Sequence, residues 1–122
     1  MTKAAALYDF WASFGWTTFA TQAEAGTAFP YLVYEPNIGA IDDGPVPIDV
    51  NLWDYGQSET AINAKTQEIA DKISLGGIYI PCDGGAILIQ RASPFSQKMT
   101  DQASDYIRGR LLHVTAEYLT QD

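Results

Sequence analysis

Residues 46–55, VPIDVNLWDY, alternate between two classes of side chain along an extended run. In a β-strand, successive side chains point to opposite faces. One face of this strand would carry Val46, Ile48, Val50 and Leu52, and the other would carry Pro47, Asp49, Asn51 and Trp53. The pattern predicts a strand with one face on a core and the other facing water or a partner. A chain of 122 residues offers room for one such core, so we expect a single domain, residues 1–122.

Two other segments have helical periodicity. From Thr2 to about Phe14, apolar side chains recur at the spacing of one helix face, with Thr2 as N-cap. Residues 58–75, SETAINAKTQEIADKISL, predict a second amphipathic helix capped by Ser58. The segment between 16 and 26 is compatible with a continued helix or a loop, and its threonines weaken the helical alternative.

The remaining strands are predicted from β-branched and aromatic runs between turn residues. Residues 29–35 predict a strand whose Pro30 indicates an edge position or the first pairs of the strand. Residues 36–45, rich in Asn, Gly, Asp and Pro, predict the solvent-exposed tip of a long hairpin. Residues 78–81 and 86–91 predict a hairpin around the Asp83-Gly84 turn.

The end of the chain is less regular. Residues 92–104 predict a loop or a short irregular helix, and residues 105–119 predict a long last strand. The apolar residues of that strand change parity, which predicts a β-bulge near 109–112. The order is therefore α, β, β, α, β, β, β. It predicts an α+β fold: a two-layer sandwich of a mostly antiparallel sheet with both helices packed on one face.

Charge and cysteine content exclude several functions. Seven Lys and Arg against fifteen Asp and Glu give a net charge of −8, which is unsuited to gripping nucleic acid or an anionic membrane. One cysteine excludes an intramolecular disulfide, and one histidine argues against a His-ligated metal centre. No apolar run reaches the length of a membrane span, and Asp9 interrupts the N-terminal stretch that superficially resembles a signal peptide. We expect a chain that stays in the cytosol.

No constellation of catalytic residues emerges. His113 lies on a predicted strand without an evident orienting partner, and Cys82 precedes a hairpin turn without basic neighbours. Asp42 and Asp43 lack the alternating ligands of a calcium loop, and no Gly-rich phosphate-binding motif is present. We therefore predict no catalytic, metal-binding or cofactor-binding residues and no enzymatic activity.

Aromatic and basic residues provide candidate contacts with a subunit or partner. Trp53 and Tyr55 fall opposite the apolar row of their strand, where they are either exposed for contact or buried under another segment. Phe95 and Met99 lie in an otherwise polar connection and form a second candidate. The third candidate consists of two basic residues on one face of the last predicted strand. They either form ion pairs with acids of their own chain or contact a neighbouring subunit. These are Arg108 and Arg110.

Residues 29–73 resemble the tail terminator proteins of long-tailed phages, also described as minor tail or tail completion proteins. The resemblance rests on the order and spacing of Pro30-Tyr31 with Tyr34, of 50–54 with Ser58, and of the helix at 58–75. A final strand at 106–119 extends the likeness to about residues 5–120.

The resemblance implies a virion structural protein, assembled in the host cytoplasm and located at the head-proximal end of the tail. Such a protein forms a ring, usually a hexamer, on the tail tube protein, stops its polymerisation and presents a surface to the head connector or stopper. DNA would pass through without specific binding, which suits an acidic subunit. Asp42 and Asp43 are candidates for facing the lumen or the tube. Two alternatives stay open: a head–tail connector stopper or minor capsid protein, and a small acidic ligand-binding domain or enzyme.

Overall fold

A computed structural model describes residues 1–100 and 104–121 of the chain. In these residues two helices and six strands form an α+β fold, as predicted. The elements are α1 (Lys3–Ala12), β1 (Thr17–Ala20), β2 (Tyr31–Tyr34), a 3-10 turn (Ile41–Asp43), β3 (Pro45–Tyr55), α2 (Thr60–Ile73), β4 (Ile78–Cys82), β5 (Gly85–Thr100) and β6 (Ile107–Thr120). The sheet order is β1-β2-β3-β6-β5-β4, and β1 with β2 is the parallel pair.

The long strands β3 and β6 pair without interruption. Their antiparallel register runs from Pro45 opposite Glu117 to Tyr55 opposite Ile107. The predicted bulge at 109–112 is therefore wrong. Parity changes along β6 because apolar side chains occupy both of its faces: Leu112 is buried in the core, whereas Leu111 lies on the opposite face. The irregularity of the sheet lies in β5, between Arg91 and Ser96.

Strand β5 continues through much of the segment that the sequence predicted as a loop. Ser96 to Thr100 pair with Leu112 to Arg108 of β6, so pairing with a long neighbour overrides a weak local preference. The prediction of a loop or helix is wrong for 92–100, while residues 101–103 lie outside the described residues.

Strand β1 is an element that the sequence did not predict. Helix α1 ends at Ala12, and Gly15 has a φ of +89°, which takes the chain out of the helix. Residues Thr17–Ala20 then run parallel to β2. Because β1 covers it, β2 is an internal strand. Pro30 directly precedes its first pair, so the edge alternative was wrong.

Both helices pack on the same face of the sheet, as predicted. Helix α1 contributes Leu7, Phe10 and Trp11, and α2 contributes Ile62, Ile69 and Ile73. They meet the inward residues of the strands, which are Leu32, Tyr34, Ile48, Val50, Leu52, Ile87, Ile89, Leu112, Val114, Ala116 and Tyr118.

The predicted N-caps are occupied differently in the two helices. The Ala5 amide donates to the Thr2 hydroxyl at 3.1 Å, which confirms Thr2 as N-cap. In α2 the N-cap position is Glu59, one residue later than predicted. The Ser58 hydroxyl still accepts a hydrogen bond from the Thr60 amide at 3.2 Å.

The connection between β2 and β3 folds back onto the sheet. The Tyr118 hydroxyl donates to the Asn37 carbonyl, and Lys3 Nζ donates to the Gly39 carbonyl at 2.8 Å. Only part of the predicted exposed tip is therefore free, since its first residues are tied to β6 and α1. Asp42 and Asp43 remain exposed. Burial raises the pKa of Tyr118 to about 12.

Adjacent leucines test the uninterrupted register of β6. Leu112→Ala should lower the free energy of unfolding by about 2–5 kcal/mol, because it removes a fully buried side chain and leaves a cavity. Leu111→Ala, on the half-buried opposite face, should cost clearly less. Urea unfolding of both variants measures the difference. A larger loss in Leu111→Ala would contradict the register.

Titration of Tyr118 tests how the connection is held. The raised pKa means that its contribution to stability is intact below the ordinary tyrosine value of 10 and is lost as pH rises through about 12. Tyr118→Phe should flatten this alkaline loss of stability and remove a late component from the ultraviolet tyrosinate titration. Tyr79→Phe, at an exposed position on β4, is the control and should leave the alkaline loss of stability unchanged. An unaltered late component in Tyr118→Phe would contradict the assignment.

Candidate functional site

The sheet face opposite the helices is rich in apolar side chains that are only half-buried. Strand register assigns residues to this face because directly opposed residues point the same way. We call this surface the open face. Its larger apolar members lie in two groups: Phe19, Tyr31, Val33, Trp53, Tyr55, Met99, Ile107 and Leu111 around the middle and one end, and Leu88 and Leu119 near β4. Polar residues such as Asn51 and Gln97 share this face, and apolar side chains grouped on one surface are typical of protein contact sites.

One row of the open face crosses four strands. Tyr31 lies opposite Trp53, Trp53 opposite Gly109, and Gly109 opposite Met99. A Cβ atom added at Gly109 would come within 2.7 Å of Trp53 Cζ3 and 3.2 Å of Met99 Cβ, so the indole ring lies directly over the glycine. The structure thus brings two predicted contact residues, Trp53 and Met99, into one row.

Gly109 and Tyr31 were missed as members of this row. A glycine inside a strand can mark a close approach of another group, and that signal was present in the sequence. The partner that approaches, Trp53, lies more than fifty residues away, and pairing of β3 with β6 is needed to identify it.

A continuous chain of rings runs along one end of the open face. Neighbouring centroids are 6.3 Å apart for Phe19 and Tyr31, 5.4 Å for Tyr31 and Phe29, 5.8 Å for Phe29 and Tyr55, and 6.0 Å for Tyr55 and Tyr106. We call these five residues the aromatic ridge.

The aromatic ridge is accessible at its centre and at one end. Tyr55 is 56% exposed and Tyr106 is 45% exposed, and both line a shallow groove with Gly56 and Gln57. Rings that are apolar on their faces and polar at the hydroxyl are enriched in protein interfaces. Phe29 and Tyr106 were not predicted as contact residues, because they lie outside the alternating strand on which the prediction rested.

Arg108 and Arg110 lie on the helix side of the sheet, away from Trp53. Arg110 is buried, and its Nη2 is 2.7 Å from Asn63 Oδ1 and 3.4 Å from Glu59 Oε1. Arg108 donates from Nε to the Gly56 carbonyl and from Nη2 to the Gln57 carbonyl, each at 3.1 Å. Both guanidinium groups therefore hold the start of α2 and the preceding connection onto the sheet.

Glu59 is the carboxylate that binds two of these basic side chains, and we call Lys98, Arg108 and Arg110 with Glu59 the basic cluster. A hydrogen bond from Lys98, with the nearby charge of Arg110, lowers the pKa of Glu59 from its ordinary value. The Lys98 Nζ to Glu59 Oε1 distance is 3.0 Å. The ion pairs link β5, β6 and α2, which is a structural role.

The remaining predicted residues lie apart from the open face. Phe95 packs against the core, with the Arg91 guanidinium 6.0 Å from its ring centroid, so it does not join Met99. Asp42 and Asp43 are in the 3-10 turn, where the Asp43 carboxylate accepts a hydrogen bond from the Ala40 amide at 2.7 Å.

His113 has partners that the sequence did not reveal. On the open face its Nδ1 is 3.2 Å from Asp49 Oδ1 and its Nε2 is 3.4 Å from Gln97 Oε1. Strand pairing creates this arrangement from residues far apart in the sequence. Within the described residues no hydroxyl or thiol is hydrogen-bonded to this imidazole.

Residues 1–100 and 104–121 contain no group of three or more His, Cys, Asp or Glu side chains placed to hold a metal ion. Neither helix in these ranges is long and apolar enough to cross a membrane.

No protein-family model matches the chain, and no curated protein or solved structure is significantly similar to it.

Substitution at Gly109 tests the seating of Trp53. Gly109→Ala should displace the indole ring and cost about 1–3 kcal/mol of stability, because the new methyl group would overlap the ring. Gly56→Ala is the matched control, since a Cβ there meets nothing within 4 Å. Tryptophan fluorescence and urea unfolding measure both effects. Equal behaviour of the two variants would contradict the close packing.

Proposed function

We propose that the protein is a structural subunit of a phage virion that caps the end of the tail tube as a ring and offers an attachment surface to the head connector. The observation that carries this proposal is the open face with its aromatic ridge. The resemblance of 29–73 to tail terminator proteins is the reason for proposing a ring on the tail tube as the type of assembly. A hexamer is the expected stoichiometry.

The open face supports an assembly role because its composition is that of a protein contact surface. Ile107, Leu111 and Trp53 occupy positions on β3 and β6 that no helix of the described chain covers. Burying such surface against another protein is favourable by roughly 25 cal/mol for each Å² of apolar area. Tyr55 and Tyr106 add rings that lose little side-chain entropy on binding.

The charge distribution supports a passage for DNA that does not bind it. Residues 4–64 contain eight of the fifteen acidic side chains and no Lys or Arg. These residues include β1, β2, β3 and the exposed Asp42 and Asp43. A lumen lined by carboxylates repels phosphates, so the duplex would slide past without adhering.

The basic residues concentrate elsewhere. Arg91, Lys98, Arg108 and Arg110 all lie in β5 and β6, and each has a partner within the chain. A surface for gripping phosphate would need free, clustered cations. The basic cluster is thus compatible with a structural subunit.

Electron microscopy of particles made without the protein tests the proposed role. A terminator predicts tails of irregular or excessive length that do not join heads. Tails of normal length beside leaking or empty heads would instead indicate the alternative role of a connector stopper. Particles indistinguishable from wild type would contradict both virion roles and favour a ligand-binding or enzymatic domain.

A surface variant tests the participation of the aromatic ridge. Tyr55→Ser with Tyr106→Ser should reduce recovery of infectious particles about tenfold or more, because truncating interface tyrosines costs on the order of 1–2 kcal/mol each. Leu75→Ser is the control, since Leu75 is 94% exposed after α2 and away from the ridge. Thermal unfolding should be nearly unchanged in both. Full infectivity of the double variant would contradict a contact role for the ridge.

A further inference from the structure

Three stretches of backbone in the described sheet have no strand beside them: the outer side of β1, the end of β5 and the outer side of β4. Strand β1 pairs with β2 on one side, and its other side has no strand within the described chain. Strand β5 is covered by β4 only as far as Ile89, which lies opposite Ile78. Beyond that point, residues 90–100 have β6 on one side and no described strand on the other. Unpaired N–H and C=O groups on such edges are templates for another strand.

The regular part of the free β5 edge is its last stretch. Pro94 has no N–H to donate, and it falls in the irregular part of β5, between Arg91 and Ser96. Residues 96–100 then follow β6 in an unbroken register. This stretch is therefore the part of the edge that is available for pairing.

The other outer edge, that of β4, is less suited to pairing. Pro81 lies within this five-residue strand and has no N–H to donate. At its end, the Asp83 amide donates to the Met1 carbonyl at 2.7 Å and the Asp83 carboxylate pairs with the N-terminal amine at 2.6 Å. By contrast, the four-residue β1 contains no proline and no charged residue, so two of the features that protect an edge are missing from it.

Charge favours contact between the β5 edge of one copy and the β1 edge of another over contact between two β5 edges. The half of the chain that holds β1 has no Lys or Arg after Lys3, and α1, which packs beside β1, carries an exposed Asp9. The free length of β5 carries Arg91 and Lys98 and no acid; Lys98 pairs with Glu59, and Arg110 beside that pair leaves this edge with a net positive charge. Two β5 edges would bring cations together, whereas β5 against β1 brings a basic edge to an acidic half.

We propose that the free edge of β5 in one copy pairs with the free edge of β1 in a second copy of this chain. This inference rests on the proposed function and names how its subunits join. The contact uses two different surfaces, so it is head-to-tail and closes into a ring when the rotation between copies allows. It would extend the six-stranded sheet from copy to copy and join successive open faces into one surface.

Cysteine cross-linking tests this pairing, because only cysteines on the same face of a continuous sheet can form a disulfide between the two strands. In a continuous sheet, opposed residues on one face have Cα atoms about 4.5–5.5 Å apart, within the range of a disulfide. In a Cys82→Ser background, Thr17→Cys is combined with Gln97→Cys or Met99→Cys, all on the open face. The controls combine Thr17→Cys with Ser96→Cys or Lys98→Cys, which point to the helix side.

The matched pairs should give a ladder of covalent dimers, trimers and higher species on a non-reducing gel, because each chain supplies both positions. The mismatched pairs should give at most traces. The experiment is run on the purified chain at increasing concentration and on particles that carry the variants. Chains that carry Gln97→Cys without Thr17→Cys should not dimerise, since the proposed contact is not between like edges.

Three results would overturn the pairing: ladders that ignore parity, dimers from Gln97→Cys alone, or no ladder from any matched pair. The size of the uncross-linked protein, measured by native mass spectrometry, separates this failure from failure of the proposed function. Oligomers without a ladder would leave a ring built through another surface. A monomer that is also absent from particles would contradict the ring itself.

Discussion

Pairing of β6 with a long strand on each side is the interaction on which the rest of the structure depends. β3 follows it from Ile107 to Glu117, and β5 follows it in two registers separated by an irregularity. Because side chains alternate along β6, each inward residue has an outward neighbour. The three paired strands β3, β6 and β5 therefore determine which side chains enter the core and which side chains lie on the open face.

The chain has enough helix to cover one of those faces. α1 and α2 bury Leu112, Val114 and Ala116 on the inward side. The outward side carries Leu111 and Ile107 without such cover, and neighbouring strands add Trp53 and Tyr31. A small domain that leaves this much apolar surface half-buried is expected to use it for contact. This division of the sheet supports an assembly role, and the free edges of the same sheet support strand pairing between copies.

Sequence reasoning succeeded where a pattern is local and failed where it depends on a distant partner. The alternation in β3 and the stripes of α1 and α2 identified the α+β class and most inward residues. β1 was missed because four residues give too short a pattern, and the 92–100 part of β5 because its polar composition conceals pairing with β6. The bulge was predicted because apolar residues occur on both faces of β6, whereas the prediction assumed that only one face of the strand would be apolar.

The candidate contact residues were likewise predicted where they share one local pattern and missed where they depend on a distant partner. Trp53 and Tyr55 were found from parity in one strand. Tyr106, Phe29 and Gly109 join them only through contacts between elements distant in the chain. For Arg110, pairing with acids of its own chain and contact with a neighbour were both left open, and spacing could not identify Asn63 and Glu59 as its partners.

The location of the protein in the intact virion tests the central claim most directly. A cryo-electron microscopy reconstruction of the head-proximal end of the tail would show whether this domain fits there. We predict a ring of copies between the tail tube and the head connector, with the aromatic ridge in a protein contact. Purified particles in which mass spectrometry finds no peptide of this chain, or density for it away from the tail, would contradict the account.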